Sequence, residues 1–406
     1  MTDFTHALAI CHKTSRYSEK LIDNFLMYYA AERENMEREM ASRLAPYKKV
    51  IRQVDNAEWL NKLKAQYIVH RIFRKDGLIR KYLPHTALKN LSGDEREFLQ
   101  FQARNPWRFS FSIIAAQPAP DFYEMEDVFR GSRFLLYSPG STETIKGKPV
   151  ALWFNLIAFN GNCWQTFGPI NAYSSFDPDD IFFFATERNR AIGSEEELMN
   201  DVEANPFPYA MLTSGAELPG IISKENPLVY VTATHDWPVF STDRLAVSFT
   251  VEYNKSVYRL SLKAWQEMPH FAVAYYDEKR KSLLLTAMTD RGFNALVMEF
   301  NRLNYAFPIE PDVRVSLSML STTEKILDKK IVLNPYEKLF EKTTTPGEKK
   351  ELTKMNELLA MMLPDLNAGR EPDIDVLALR TGLDPATIRE ISKSITASLR
   401  KSKGKQ

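Results

Sequence analysis

Two strand-like runs, residues 150–159 and 162–167, meet at Asn160-Gly161, and no other feature restricts the fold of this chain as tightly. An Asn-Gly pair between such runs predicts a two-residue hairpin turn, because both central residues take positive φ there and these two do so at low cost. Alternation places Leu152, Phe154, Leu156 and Ala158 on one face, and Trp153, Asn155, Ile157 and Phe159 on the other. Both faces are largely apolar and therefore both need cover, which predicts a small barrel or a sheet packed against a helical neighbour. The whole stretch 120–190 reads as strands, with 121–128 leading in and 177–184 closing it.

Helical sequence precedes it. Leu21, Phe25, Tyr28 and Tyr29 recur at three- and four-residue spacing, and 32–43 continues as a charged face, predicting one long helix. Trp59, Leu60, Leu63, Tyr67, Ile68 and Phe73 form a second stripe that stops near Asp76-Gly77. Ser92 and Glu95 have capping-box spacing ahead of Phe98 and Leu99.

After the central stretch, 187–226 is rich in Gly and Pro and reads as a connector around one short helix at 195–202. Strand signals resume at 228–232. Val247, Phe249, Val251 and Tyr253 alternate, a turn at Asn254-Lys255 leads into 257–262, and 271–276 pairs with 282–289. Thr289-Asp290 caps a helix carrying Phe293, Leu296, Val297, Phe300 and Leu303, and Val313, Val315, Leu317 and Met319 read as a last strand. A linker over 341–350 precedes helical segments at 355–363, 374–379 and from Asp384-Pro385 onward.

The fold class is therefore α+β and multidomain. It comprises a helical domain (1–105), a small β-barrel-like domain (106–190), a second antiparallel α+β domain (228–340) and a helical tail (351–406) that reads as a helix-turn-helix. The 53 basic and 52 acidic side chains nearly cancel, which argues against a chain coated for nucleic acid but leaves room for a local basic patch. Cys11 and Cys163 are the only cysteines, too few for a disulfide framework or a four-thiolate zinc site, so no metal or cofactor is expected. The start of the chain lacks the pattern of a signal peptide and no window is apolar enough to span a membrane, so a cytoplasmic location without membrane insertion is expected.

Five groups of residues bear on function. In the tail, Ile388, Ile391, Ile395 and Leu399 share one helix face, while Arg389, Lys393, Arg400 and Lys401 are placed to reach phosphates. His235-Asp236, with Asp243 nearby, has the makings of an oriented imidazole but lacks a nucleophile, so a structural histidine is the simpler reading; adjacent Cys11 and His12 diverge on a helix. Asp121, Glu124, Glu126 and Asp127 resemble a metal-dependent nuclease set without its lysine, and a solvated strand edge explains them more simply. Trp107, Tyr123, Tyr137, Trp153, Trp164 and Tyr173 would suit a stacking platform, but 134–184 holds only Lys146 and Lys148 as basic residues, which favours core packing.

Leu91-Ser92-Gly93-Asp94-Glu95, Pro106-Trp107 and the run from Phe122 through Gly131 together resemble the middle of uncharacterised bacterial proteins related to the SEC-C, or SecA C-terminal-type, motif family. Residues 281–303 are similar to a later strand-helix element of that family. The resemblance covers 90–305 and implies a small β-domain around a Gly-containing hairpin, with no activity assigned to any residue. The family's zinc tail is missing, since no cysteine follows Cys163. These features favour a non-catalytic interaction or regulatory protein with a protein partner. The alternative is a nucleic-acid-binding protein using the C-terminal helices, and a metal-dependent hydrolase or nuclease is a third class.

Overall fold

The computed structural model describes residues 4–145, 150–215, 222–223, 226–237, 241–265, 271–340, 346–367 and 370–403. It forms two compact units, Met1–Tyr336 and Glu337–Gln406. The fold is α+β.

The first unit begins with helices. α1 (Phe4–Tyr17) continues through a π-helical stretch, Ser18–Leu26, into α2 (Met27–Arg33). The long helix expected through 32–43 is broken, because Asn35 adopts a left-handed φ of 51° before α3 (Met36–Leu44). Then come α4 (Lys48–Val54), α5 (Ala57–Phe73), α6 (Ile79–Tyr82) and α7 (Gly93–Arg104). Ser92 Oγ accepts from Glu95 N at 3.3 Å, and the Glu95 carboxylate accepts from Ser92 N at 2.8 Å, so the expected capping box starts α7.

Next is a closed barrel of β1 (Arg108–Ala119), β2 (Phe122–Asp127), β3 (Arg133–Tyr137), β4 (Leu152–Phe159) and β5 (Trp164–Tyr173), in the order β1-β2-β3-β5-β4. β3 and β5 are parallel, and α8 (Pro139–Ile145) lies between β3 and β4 in the chain. β1 serves two partners: it pairs with β4 from Arg108 and with β2 up to Ala119, bending at register shifts after Ile114. This is the strand arrangement of an OB-type barrel. Tyr123, Met125, Leu136, Trp153 and Ile157 fill the interior. Leu152, Phe154, Leu156 and Ala158 join the core made by the helices, so both faces of β4 are covered.

The β4–β5 hairpin differs from the expected two-residue turn. It spans four residues, closed by Asn160 N donating to Cys163 O at 3.0 Å, and of the Asn-Gly pair only Gly161 has positive φ, at 97°. Asn160 instead turns the chain with its side chain: Oδ1 accepts from Asn162 N at 2.9 Å and Cys163 N at 2.8 Å.

Residues 177–184 are not a closing strand but part of α9 (Pro178–Arg188), capped by Asp177 and Asp180 with proline in the first turn. The supposed connector contributes core: α10 (Glu195–Ala204) and α11 (Phe207–Ala210) lead into a 3₁₀ turn, and Phe207, Tyr209, Met211 and Leu212 are fully buried. After the ribbon of β6 (Ile222–Ser223) and β7 (Asn226–Pro227) come β8 (Val229–Asp236), α12 (Thr242–Leu245), β9 (Phe249–Asn254), β10 (Val257–Leu262), β11 (Ala272–Asp277), β12 (Ser282–Ala287), α13 (Asp290–Arg302), β13 (Val313–Ser316) and α14 (Leu317–Leu327). The six-stranded sheet runs β13-β8-β12-β11-β10-β9, with Phe293, Leu296, Val297 and Phe300 of α13 packed on one face. Val247 lies before β9 and is exposed, and the turn into β10 is Lys255-Ser256, both with positive φ. Leu317 and Met319 belong to α14, not to a strand, because Ser316 Oγ accepts from Met319 N at 3.1 Å and caps a helix there.

The second unit holds α15 (Pro346–Asn367), α16 (Ile374–Thr381) and α17 (Pro385–Lys403) around Leu358, Met362, Leu366, Leu377 and Ile388. Of the expected linker, 341–345 lies outside the described residues, and α15 begins directly after it. Among the described residues no helix is long and apolar enough to cross a membrane.

Candidate functional site

The helix pair of the second unit is built from three local devices. Asp373 caps α16, its carboxylate accepting from Asp375 N and Val376 N, both at 3.1 Å. Gly382 ends α16 at φ 63°, a left-handed conformation that glycine adopts without Cβ strain, and Lys354 Nζ donates to its carbonyl at 3.2 Å. Asp384 accepts from Ile388 N through its carbonyl at 3.1 Å, and Pro385 opens α17. A three-residue turn, 382–384, thus joins the two helices.

Leu377, Thr381 and Ile388 are buried in the seam, with Ile391 and Ile395 packed beside them. Arg389 and Lys393 stand one helical turn apart, both exposed, with Ala386, Thr387 and Glu390 exposed around them. Arg400 and Lys401 continue α17, and their side chains lie outside the described residues.

The other sequence candidates do not converge. His235 lies on β8 with its ring stacked on Phe307 at 4.6 Å, and burial lowers its pKa. Asp236 is exposed on the same strand and Asp243 sits on α12. Glu124 points to solvent and Glu126 pairs with Arg133 at 3.0 Å. β2 has neighbours on both sides, so these acids decorate a barrel face rather than the expected strand edge. Among the described residues no three His, Cys, Asp or Glu side chains are placed to hold a metal ion. Five of the six aromatic candidates, Trp107, Tyr123, Tyr137, Trp153 and Tyr173, are buried.

Three clusters have no signal in sequence spacing. In the first, Arg130 donates to Asp127 Oδ2 and Glu203 Oε1, both at 3.2 Å, and Glu203 Oε2 lies 2.6 Å from His70 Nε2. In the second, Arg314 forms a fork on Asp290 at 2.9 and 3.1 Å and reaches Asp177 at 2.7 Å, while buried Asp180 accepts from Ser316 N at 2.7 Å and Ser316 Oγ at 2.9 Å. Burial, together with the nearby Asp177 carboxylate, pushes the Asp180 pKa up to about 7. The third is the pair Cys11 and Cys163, whose Sγ atoms are 3.4 Å apart, beside a groove of about 340 Å³ that includes Ile10, Thr14, Phe98, Phe101 and Asn160 in its wall. Cys11 is buried and its neighbour His12 exposed, and His12 Nε2 lies 3.4 Å from Tyr137 Oη, a ring that also packs beside Cys11.

Compared with family models, curated proteins and solved structures, the chain matches none. The SEC-C resemblance rests on its residues alone.

Proposed function

We propose that this chain is a non-catalytic nucleic-acid-binding protein: the α16–α17 pair holds duplex DNA, and the larger unit serves as its interaction or regulatory body. The observation that carries the reading is the division of α17 into a buried seam at Ile388 and an exposed cationic turn at Arg389 and Lys393, immediately after a three-residue turn with left-handed Gly382. A recognition helix requires that division: apolar residues fix it against its partner helix while its first turns face the groove and phosphates. Exposed Glu390 between the two cations repels phosphate and limits non-specific affinity.

The test is fluorescence anisotropy of the full chain with a duplex of about 20 base pairs in about 50 mM salt. The expected result is saturable binding that weakens steeply with added salt. Replacing both cations, Arg389→Glu with Lys393→Glu, lowers affinity at least about tenfold and flattens the salt dependence. No binding at low salt, or an unchanged double variant, overturns the reading.

A further inference from the structure

The two cysteines are 152 positions apart in sequence, and folding buries both and sets their sulfur atoms 3.4 Å apart. Cys11 is on α1 and Cys163 ends the β4–β5 loop. A polar frame aims them at each other. Asn160 Nδ2 donates to Cys11 Sγ at 3.3 Å and to Cys163 Sγ at 3.5 Å, and Asn160 Oδ1 accepts from Cys163 N. Gln165 Oε1 accepts from the same Asn160 amide at 2.9 Å, while Gln165 Nε2 donates to Cys11 O at 3.3 Å. The remaining wall is apolar: Ala7, Leu8, Phe122, Leu135 and Tyr137.

The two thiols are not equivalent. The contact between the two sulfurs holds the Cys163 pKa below its usual value, and the same contact together with burial pushes that of Cys11 up. That polarisation favours Cys163 as the nucleophile of the pair, with Cys11 the thiol beside it. Both cysteines are buried and neither lines the groove between α1 and α7, but Asn160, which touches both sulfurs, does, so one side chain separates them from it.

We propose that Cys11 and Cys163 form a redox site that a small peroxide closes into a disulfide. The Cys163 thiolate attacks one peroxide oxygen, the O–O bond breaks, and hydroxide leaves with a sulfenic acid on Cys163. The Cys11 sulfur attacks the sulfenic sulfur and the S–O bond breaks. The departing hydroxide takes the Cys11 proton, and the S–S bond forms. Two thiols and hydrogen peroxide become one disulfide and two waters, the sulfurs giving two electrons to the peroxide oxygens. Closing the bond requires the sulfurs to approach by about 1.4 Å.

The bond ties α1 to the barrel. Phe4 of α1 packs on Phe122 with ring centroids 5.1 Å apart, and His12 lies against Tyr137, so α1 covers part of the β2–β3 face. In OB-type barrels that face and the β4–β5 loop are ligand-binding surface. Oxidation adds a covalent tie to a cover that is already seated when both thiols are free.

The experiment treats the full chain with hydrogen peroxide, denatures it, and measures intact mass and free thiols. The expected result is a monomer lighter by about 2 Da with both thiols lost, restored by dithiothreitol. Asn160→Ala keeps both thiols and slows closure several-fold. Cys11→Ser stops at a Cys163 sulfenic acid that dimedone traps. Two alkylatable thiols in the wild-type chain after free cysteine has been consumed, or bonds formed only between molecules, overturn the proposal without recourse to any variant.

Discussion

The two buried charge clusters of the first unit each join segments far apart in sequence, but they place their cation differently. In the barrel cluster Arg130 touches the fully buried Asp127 and also Glu203, and every carboxylate oxygen has a donor: Ser110, Phe129 N and Arg130 serve Asp127, while Phe109 N, Arg130 and His70 serve Glu203. In the second cluster Arg314 is committed to Asp177 and Asp290, both nearly half exposed, and fully buried Asp180 is left with neutral donors from Ser316 and Asp177 N. The number of hydrogen bonds is similar. What differs is whether the charge meets the carboxylate that water cannot reach, and Asp180, buried without a cation on it, has its pKa raised.

The sharpest way to break this comparison is to remove the cation that touches the buried acid. Arg130→Met removes the guanidinium that is hydrogen-bonded to both Asp127 and Glu203, and breaking a buried pair from one side costs about 3 to 5 kcal/mol. Urea unfolding of the first unit, followed by tryptophan fluorescence, measures it. A loss below about 1 kcal/mol shows that neutral donors suffice there too.

The folded pKa of Asp180 is raised from 3.8 to about 7, so the folded state favours the protonated acid. Its contribution to stability is full below the unfolded value and is lost as pH rises through about 7. Between about pH 5 and pH 8 this single group removes on the order of 2 to 3 kcal/mol, and Asp180→Asn flattens the profile by that amount. Parallel profiles for wild type and variant reject the assignment.

Much of this architecture is legible in sequence because it rests on local rules. The Ser92–Glu95 cap, the alternation of β4 and the Gly382 and Asp384-Pro385 signals each describe a neighbourhood of a few residues, and each takes the form the sequence predicts. Two departures from the expected strands are also local. Asp177-Pro178 with Asp180, and Ser316 ahead of Met319, are helix caps, and the apolar residues after them have a strand-like pattern. The Asn160-Gly161 turn departs for a different reason: the Asn160 side chain is engaged by Cys163 N and both sulfurs, a tertiary role that no dipeptide rule contains. The charge clusters and the cysteine pair are illegible there, because their members come together only through barrel closure and the packing of α1, α5, α9 and α10, and nothing in their spacing records that.

The smallest effect sharpens the comparison most finely. Asp179 lies 3.5 Å from Arg314 Nη1 with its side chain 63% exposed, and attraction to that guanidinium is offset by repulsion from Asp177 and Asp290. Water screens all three interactions, so Asp179→Asn shifts stability by less than about 0.5 kcal/mol, and raising salt to about 0.5 M erases the difference. Unfolding midpoints at low and high salt read this out. A loss above about 1 kcal/mol places the working ion pair at the rim of the second cluster. A pH profile flattened as in Asp180→Asn moves the titrating proton from the buried carboxylate to the exposed one, and the distinction between the clusters then reduces to exposure alone.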